Sequence, residues 1–448
     1  MTDHAFLARH GLFDARAPRY TSYPSAPHFT DAVGPAVMQQ WLRDIPAKSD
    51  ISLYLHIPFC RRLCWFCACR TQGTKSDAPL QPYLQALMQE AAMVADLLPP
   101  DVRVTTLHLG GGTPTILPPV LIDQLFGTLR DLFAFQPDAE VSVEVDPTML
   151  DEARLDALAK GGVTRASIGV QDFDETVQAA IGRPQSVAQT VAAVDGLRAR
   201  GIAAINIDLL YGLPHQTSIS LGRTLEQALA LQPDRVALFG YAHVPWASKR
   251  QVMIKEADLP DGRRRLGLFD QAAARFVTDG FVPVGIDHFA RPGDPLAIAA
   301  TQGRLRRSFQ GYTTDVAPSL VGLGASAISC LPQGYAQNAV RTADWQERVR
   351  GGKLATHKGH AFVEDDRIEA AMIESLLCGF RIAPEEFGEH RARVAAAVRR
   401  LARAWPEAVD VGGDGVLTIP DRARPMARMI AMGLDAYAVP EGRHSVAI

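Results

Sequence analysis

Six short aliphatic runs, each followed by a stretch of helical character, constrain the fold of this chain more than any other feature. They are SLYLHIP (52–58), VTTLHLG (104–110), EVSVEVD (140–146), RASIGVQ (165–171), AINIDLL (204–210) and RVALFGY (235–241). Helix-like runs separate them, such as PYLQALMQEAAMVADLL from Pro82 and SVAQTVAAVDGLRAR from Ser186. Strands that alternate with helices, and that read as near-continuously apolar, are expected to form a parallel sheet covered by helices. Six units in series predict an α/β fold built on a partial (β/α)6 barrel, with a doubly wound open sheet as the alternative.

The flanks follow other rules. Residues 1–50, with PRYTSYPSAPHF at 18–29, read as an ordered N-terminal arm. From about Glu364 the pattern turns helical (DDRIEAAMIESLLCGF, RARVAAAVRRLARAW). AVDVGGDGVLTIP then suits a tight hairpin, and PMARMIAMGLDAY predicts a closing helix. The expected division is an arm at 1–50, a barrel with extensions at 51–360, and a mostly helical, winged-helix-like domain at 361–448. The net charge is −3, from 46 basic and 49 acidic residues, so no global field draws the chain to nucleic acid or membrane. The N-terminus lacks an apolar signal region, and no uncharged run approaches a membrane span. A cytoplasmic monomer is expected.

Four of the six cysteines fall between Cys60 and Arg70, in CRRLCWFCACR, while Cys330 and Cys378 lie far away. Clustered thiols in a long, disulfide-poor chain point to metal or redox chemistry. The spacing, Cys60-x3-Cys64-x2-Cys67-x-Cys69, matches neither a zinc ribbon nor a ferredoxin run. Three thiolates so placed after a strand can each reach a different iron of a [4Fe–4S] cube. Cys69, two residues past Cys67, would distort the loop to reach the fourth, so one iron is expected to stay open to a chelating ligand. A structural zinc site is the alternative.

Cys-x3-Cys-x2-Cys after the first strand of an α/β barrel resembles the signature of the radical S-adenosylmethionine (SAM) superfamily. Further runs narrow the likeness: PRYTSYPSAPHF, LYLHIPFC (53–60), Cys69, GGGTPT (110–115), SVEVDPT (142–148), SIGVQDF (167–173), GIDHFA (285–290) and FQGYTT (309–314). In this order they resemble the oxygen-independent coproporphyrinogen III oxidases (dehydrogenases), from about residue 18 to at least 340. Ala68 stands where that family usually has Gly, and Ser25 where Thr is common; the first slightly constrains the loop.

The resemblance implies that Cys60, Cys64 and Cys67 hold a [4Fe–4S] cluster. It implies that SAM, two molecules of it in the reported family pattern, is contacted by Tyr54, Phe66, Gly111, Gly112, Thr113, Glu144, Gln171, Arg183, Asp208, Ala242 and Ile328. It also implies a reducing electron donor such as a flavodoxin or ferredoxin, and conversion of two propionates of coproporphyrinogen III to vinyl groups. The residues themselves fit such a site. Glu144, Gln171 and Asp208 are polar residues near the C-terminal ends of strands, the rim where barrel sites are built. The glycines of GGGTPT would let backbone approach a ligand. GLGASA (322–327) lacks a clear preceding strand and a suitable acid downstream, and so reads as a close turn rather than a dinucleotide fingerprint. His56 reads as a satisfied core histidine or a proton partner near the cluster. Candidate cations for the substrate carboxylates are Arg19, GRRR (262–265) and GRLRRS (303–308), and replacing Arg306 or Arg307 is expected to raise the substrate KM.

A related haem-binding chaperone typically has Phe at the place of Cys69 and lacks the PRYTSYPSAP arm. A radical methyltransferase would leave the arm and FQGYTT unexplained. A DNA-binding regulator would need a basic recognition stripe, and RARVAAAVRRLARAW is basic on one side only.

Overall fold

The structure, a computed structural model, describes residues 3–309, 311–438 and 444–448. Gln310, within FQGYTT, lies outside the described residues. All six expected runs are strands: β1 Asp50–Ile57, β2 Arg103–Gly111, β3 Ala134–Val145, β4 Arg165–Gln171, β5 Ala204–Tyr211 and β6 Arg235–Gly240. They pair in parallel in chain order. Two short strands, β7 Val282–Val284 and β8 His288–Ala290, extend the β6 edge in antiparallel fashion. On the other side β9 Ser319–Leu323 adds to β1 in parallel. Antiparallel β10 Ile328–Leu331, β11 Gly334–Asn338 and β12 Thr356–Ala361 follow. The sheet is open, in the order β12-β11-β10-β9-β1-β2-β3-β4-β5-β6-β8-β7. The barrel is therefore partial, with β9 a seventh parallel strand that the six-unit pattern did not contain.

The strands are not near-continuously apolar; they alternate. Ile51, Leu53, Leu55 and Ile57 of β1 are buried in the main core with Leu107, Leu109, Val143, Val145, Ile168, Ile205, Ile207 and Val236. Tyr54, His108, Glu144, Ser167, Asn206 and Asp208 occupy the opposite face. The outer face is packed by helices α1 Leu80–Ala95, α2 Pro119–Leu132, α3 Glu152–Lys160, α4 Val187–Arg198, α5 Ser218–Ala230 and α6 Gly262–Thr278. The inner face lines a polar bowl, so period-2 patterning replaces the apolar run of a sheet covered on both faces. Short polar residues start the helices. Asp151 and Asp261 accept from the N–H three residues on, and Ser186 with Gln189 forms a reciprocal capping box.

Two longer helices, α7 Glu364–Gly379 and α8 Arg391–Ala404, follow the sheet, with a small sheet of Arg381–Ile382, Asp410–Val411 and Leu417–Thr418. The expected closing helix is broken into 3-10 and α turns over Asp421–Met426, Ala427–Ala431 and Met432–Leu434. Pro425, which has no N–H to donate, falls inside the first of them. The core of this region includes Phe6, Leu7, Leu12, Tyr20 and Tyr23 of the arm as well as Ile373, Leu401 and Ile430. The two ends of the chain also touch. Ala17 N–H donates to Ser445 O at 3.3 Å and Ala447 N–H to Ala15 O at 2.8 Å.

A strand does lead into GLGASA, contrary to the sequence reading, because β9 runs on through Gly322 and Leu323. Another strand, β10, follows it, so the dinucleotide pattern still fails. Gly324 has φ +98°, and a Cβ there would stand 2.6 Å from His56 O and 2.7 Å from the Tyr83 hydroxyl. Its N–H donates to Glu90 at 2.6 Å and its carbonyl accepts from Asn338 at 2.9 Å. Gly324→Ala is expected to destabilise the protein by about 2–4 kcal/mol, through backbone strain and overpacking. Gly352→Ala, at φ +69° with nothing within 4 Å, should cost about 1 kcal/mol. Equilibrium urea unfolding of the two variants checks the difference.

Candidate active site

The thiol loop leaves the C-terminal end of β1 and is pinched at its base, where Phe59–Cys60 pairs in parallel with Gln72–Gly73. Between these points the loop has little regular structure, so its carbonyls need other partners. Side chains from far along the chain supply them. Gln251 donates to Phe66 O at 2.7 Å, Ser248 to Cys67 O at 2.9 Å and Arg250 to Thr71 O at 2.9 Å. His56 Nε2 reaches Arg70 O at 3.0 Å, while its Nδ1 lies 3.0 Å from the Tyr54 hydroxyl. A carbonyl can only accept, so Nε2 carries the proton and Nδ1 accepts from Tyr54. Burial holds the ring's pKa below its ordinary value. His56 is thus a neutral strut of the loop, as the core reading expected, with no free nitrogen for proton transfer.

Cys60 and Cys64 are buried, Cys67 is half-buried and Cys69 is exposed. The Thr113 hydroxyl donates to Cys60 Sγ at 3.6 Å, and Arg183 Nη1 to Cys64 Sγ at 3.3 Å. A hydrogen bond between Cys67 and Cys69 favours the thiolate on Cys67 and the neutral thiol on Cys69, with Arg250 and Arg183 adding positive charge toward Cys67. Sulfurs met by N–H and O–H donors are suited to metal-bound thiolates, whose charge such donors stabilise. Cys60, Cys64 and Cys67 fit as holders of an iron–sulfur cluster. Cys69, kept as a thiol and within electrostatic reach of Glu144 and Cys60, faces the bowl.

Around the rim the structure brings Tyr54, Glu144, Gln171, Arg183 and Asp208 together with GGGTPT. The glycines also answer to the protein's own packing. A Cβ on Gly110 would meet Glu144 Oε1 at 2.8 Å, on Gly111 the His56 ring at 2.7 Å, and on Gly112 Phe59 O at 2.7 Å. Gly112 and Thr113 N–H donate to Ile57 O and Phe59 O, at 2.8 and 2.9 Å. The run is glycine-rich so that β2 can dock beneath the thiol loop. Gln171 ends β4 with φ +70°, at a register shift against β5. That strained conformation at a rim position is of the kind found at functional sites. Arg183, buried, also donates to Gly169 O at 2.7 Å and lies 3.6 Å from Asp146. Phe66 and Ala242 sit together through Gln251, which donates to both carbonyls. Ile328 begins β10 beside Gly322, the β9 partner of Tyr54.

The two carboxylates on the bowl's face differ in charge. Burial opposes ionisation of Glu144, but His108, 3.5 Å away, and the Gly111 N–H at 3.0 Å hold its pKa below the ordinary range. His108 also stacks on Tyr54, with rings 5.8 Å apart and 14° from parallel. Asp208 is pushed up to about 6 by burial and by the Glu144 charge, against hydrogen bonds from Ser167 at 3.0 Å and Asn206 at 2.7 Å. A permanently anionic Glu144 suits a cationic ammonium, and Asp208 suits neutral hydroxyls.

The family model for the radical SAM superfamily matches residues 54–228. An oxygen-independent coproporphyrinogen III oxidase from Paracoccus denitrificans is 53% identical over the whole of both chains. One from Cereibacter sphaeroides is 51% identical over 96% of each. The chain belongs to the oxygen-independent coproporphyrinogen III oxidases. The solved Escherichia coli coproporphyrinogen III oxidase (HemN), a radical SAM enzyme, superposes with a TM-score of 0.90 at 37% identity, covering 98% of this chain and 99% of that one. Membership brings a [4Fe–4S] cluster and SAM as cofactors, and makes the protein an oxidoreductase.

Sequence reasoning missed Ser248, Arg250 and Gln251, whose segment carries no motif, and His108 and Asp146, which lie in recognised strand runs but were not singled out. Among the candidate cations, Arg306 is exposed and paired with Glu374 at 3.0 Å. Arg307 instead donates to Tyr20 O and Arg19 O at 3.4 and 3.3 Å. Arg263 and Arg264 are exposed at the start of α6, whereas Arg265 is buried and donates to Tyr241 O at 2.6 Å.

A carboxyl whose pKa rises on folding, from about 3.9 to about 6 for Asp208, favours the folded state below pH ~4 and loses that contribution as pH climbs through 6. Asp208→Asn is therefore expected to be more stable than the parent above pH 6, by about 1–2 kcal/mol after allowance for solvent in the bowl. The advantage should vanish near pH 4 while SAM binding is lost at every pH. Unfolding midpoints across pH 4–8 and equilibrium dialysis with SAM check both parts.

Proposed function

We propose that this chain catalyses the oxidative decarboxylation of two propionate side chains of coproporphyrinogen III to vinyl groups, giving protoporphyrinogen IX. The observation that carries the reading is end-to-end similarity to oxidases of that name, with the thiol loop held over the polar rim. The cluster and SAM, when bound, would supply one-electron reduction and a hydrogen-abstracting carbon radical; each propionate would lose a β-hydrogen atom, CO2 and one electron, the electron passing to a one-electron acceptor outside the chain. The chain's own residues do the rest. Cys60, Cys64 and Cys67 would hold the cluster, and Thr113 and Arg183 donate to the Sγ atoms of Cys60 and Cys64. Glu144 takes the ammonium end of SAM, with Gly111, Gly112 and Thr113 setting its depth, and Asp208 with Gln171 takes the ribose hydroxyls. Tyr54, Phe66, Ala242 and Ile328 complete the walls and keep water from the reacting carbon.

The reading includes two molecules of SAM. Contact residues run from Ile328 on β10 to Ala242 after β6, seven strand steps or about 34 Å along the sheet at about 4.8 Å per step, which supports room for more than one nucleotide. A small reductant such as a flavodoxin or ferredoxin supplies electrons, and the chain works as a monomer without nucleic acid or membrane. No helix among the described residues is long and apolar enough to cross a membrane.

Anaerobic incubation with coproporphyrinogen III, SAM and dithionite should give the doubly decarboxylated product by mass. Haem binding without turnover would instead mark a carrier. Serine at position 60, 64 or 67 is expected to abolish iron binding and activity. Cys69→Ser should retain the iron content and the SAM-dependent change in the reduced cluster's paramagnetic resonance spectrum, and failure to do so would make Cys69 a ligand.

A further inference from the structure

Four arginines from four separate parts of the chain meet beside the rim. Arg19 of the arm donates to Gly240 O at 2.7 Å, at the end of β6. Arg265 of α6 holds the next residue, Tyr241, and Arg307 holds the arm backbone at Arg19 and Tyr20. Arg428, on the broken helix, donates to Ala447 O. Arg428 lies within electrostatic reach of both Arg19 and Arg307, and Arg265 within reach of Arg19. Asp287 is the carboxylate that reaches Arg19, Arg307 and Arg428. It is already engaged by His288 at 2.7 Å. Glu374 is taken by Arg306 and by the backbone N–H of Arg307, at 3.0 and 2.9 Å.

Two features make this more than a structural clasp. Carbonyls satisfy single N–H groups but neutralise no charge, and three guanidinium groups facing Asp287, with Arg265 beside Arg19, leave a positive excess in a largely desolvated place. Burial and these neighbours drive the Arg428 pKa down to about 10. Among the described residues, Arg265 Nε and Arg307 Nη1 are also buried without a hydrogen-bond partner. Unpaired donors on a charged fork are what a carboxylate accepts from bidentately. The place is right as well. His288 pairs with Ala237 of β6, which pairs with Asp208 of β5, so the arginines lie one strand beyond the rim carboxylate, next to Ala242 and the Gln251 anchor of the thiol loop.

We propose that Arg19, Arg265, Arg307 and Arg428 form a cage that binds a propionate carboxylate of the substrate and so sets which side chain faces the radical. This rests on the proposed substrate. The cage assigns the expected effect on substrate KM to Arg307, which holds the arm, rather than to Arg306, which is paired with Glu374.

The test is anaerobic equilibrium dialysis of the cluster-loaded protein with coproporphyrinogen III, omitting SAM so that no turnover occurs. Arg428→Met and Arg19→Gln should weaken binding at least tenfold, with iron content unchanged and a thermal midpoint equal to or above that of the parent, because buried like charges are relieved. The tetramethyl ester of coproporphyrinogen III should bind the parent as weakly as the free acid binds the variants. Arg263→Gln, on the exposed start of α6, should bind like the parent. Unchanged binding by both cage variants, or equal binding of ester and acid, overturns the cage and makes the arginines an interlock of arm and rim. Turnover of coproporphyrinogen III by the parent protein is measured separately, so loss of the cage and loss of the functional reading are told apart.

Discussion

An irregular loop that must present three thiolates has no ladder of its own to satisfy its backbone, and the rest of the site follows from how that problem is met. The carbonyls of Phe66, Cys67, Arg70 and Thr71 are held by Gln251, Ser248, His56 and Arg250. These donors come from β1 and from the segment after β6, the first and last of the six strands that pair in chain order. The loop therefore ties the two sides of an open sheet together. Its sulfur positions depend on the curvature of the whole barrel, a second layer of orientation of the kind metal sites depend on.

The sheet's two faces divide the labour. Outward residues of β1 to β6 are aliphatic and packed under helices, while inward residues are Tyr54, His108, Glu144, Ser167, Asn206 and Asp208. A closed barrel fills its interior with branched apolar side chains. Here the open edge admits solvent and ligand, so buried polar groups can be paired with one another and with backbone instead of being excluded. Glu144 and Asp208 illustrate the result. They share the bowl, but hydrogen-bond donors surround the first, while burial and the first one's charge act on the second.

Much of this was legible in the residues. The six strands were found because β-branched and aliphatic runs repeat at βα spacing, and the thiol loop because four cysteines in so short a stretch admit few readings. What stayed hidden depends on long-range pairing. β9 follows a hairpin of Arg306–Ser308 with Gly311–Thr313 rather than a helix directly, so no βα period announces it. Arg306 and Arg307 look alike in sequence, but adjacent strand residues point to opposite faces, and only one of them turns inward. The glycines of GGGTPT signalled close approach correctly, yet sequence cannot say whether a ligand or another strand does the approaching. Ser248, Arg250 and Gln251 act through backbone contacts that leave no motif.

The pairing of residues 15–17 with 445–447 joins segments from the two far sides of the chain. The arm also donates to Gly240 O through Arg19 and is held by Arg307. Its position over the rim is thus set by contacts between residues far apart in sequence, so opening of any one of these segments unseats the others.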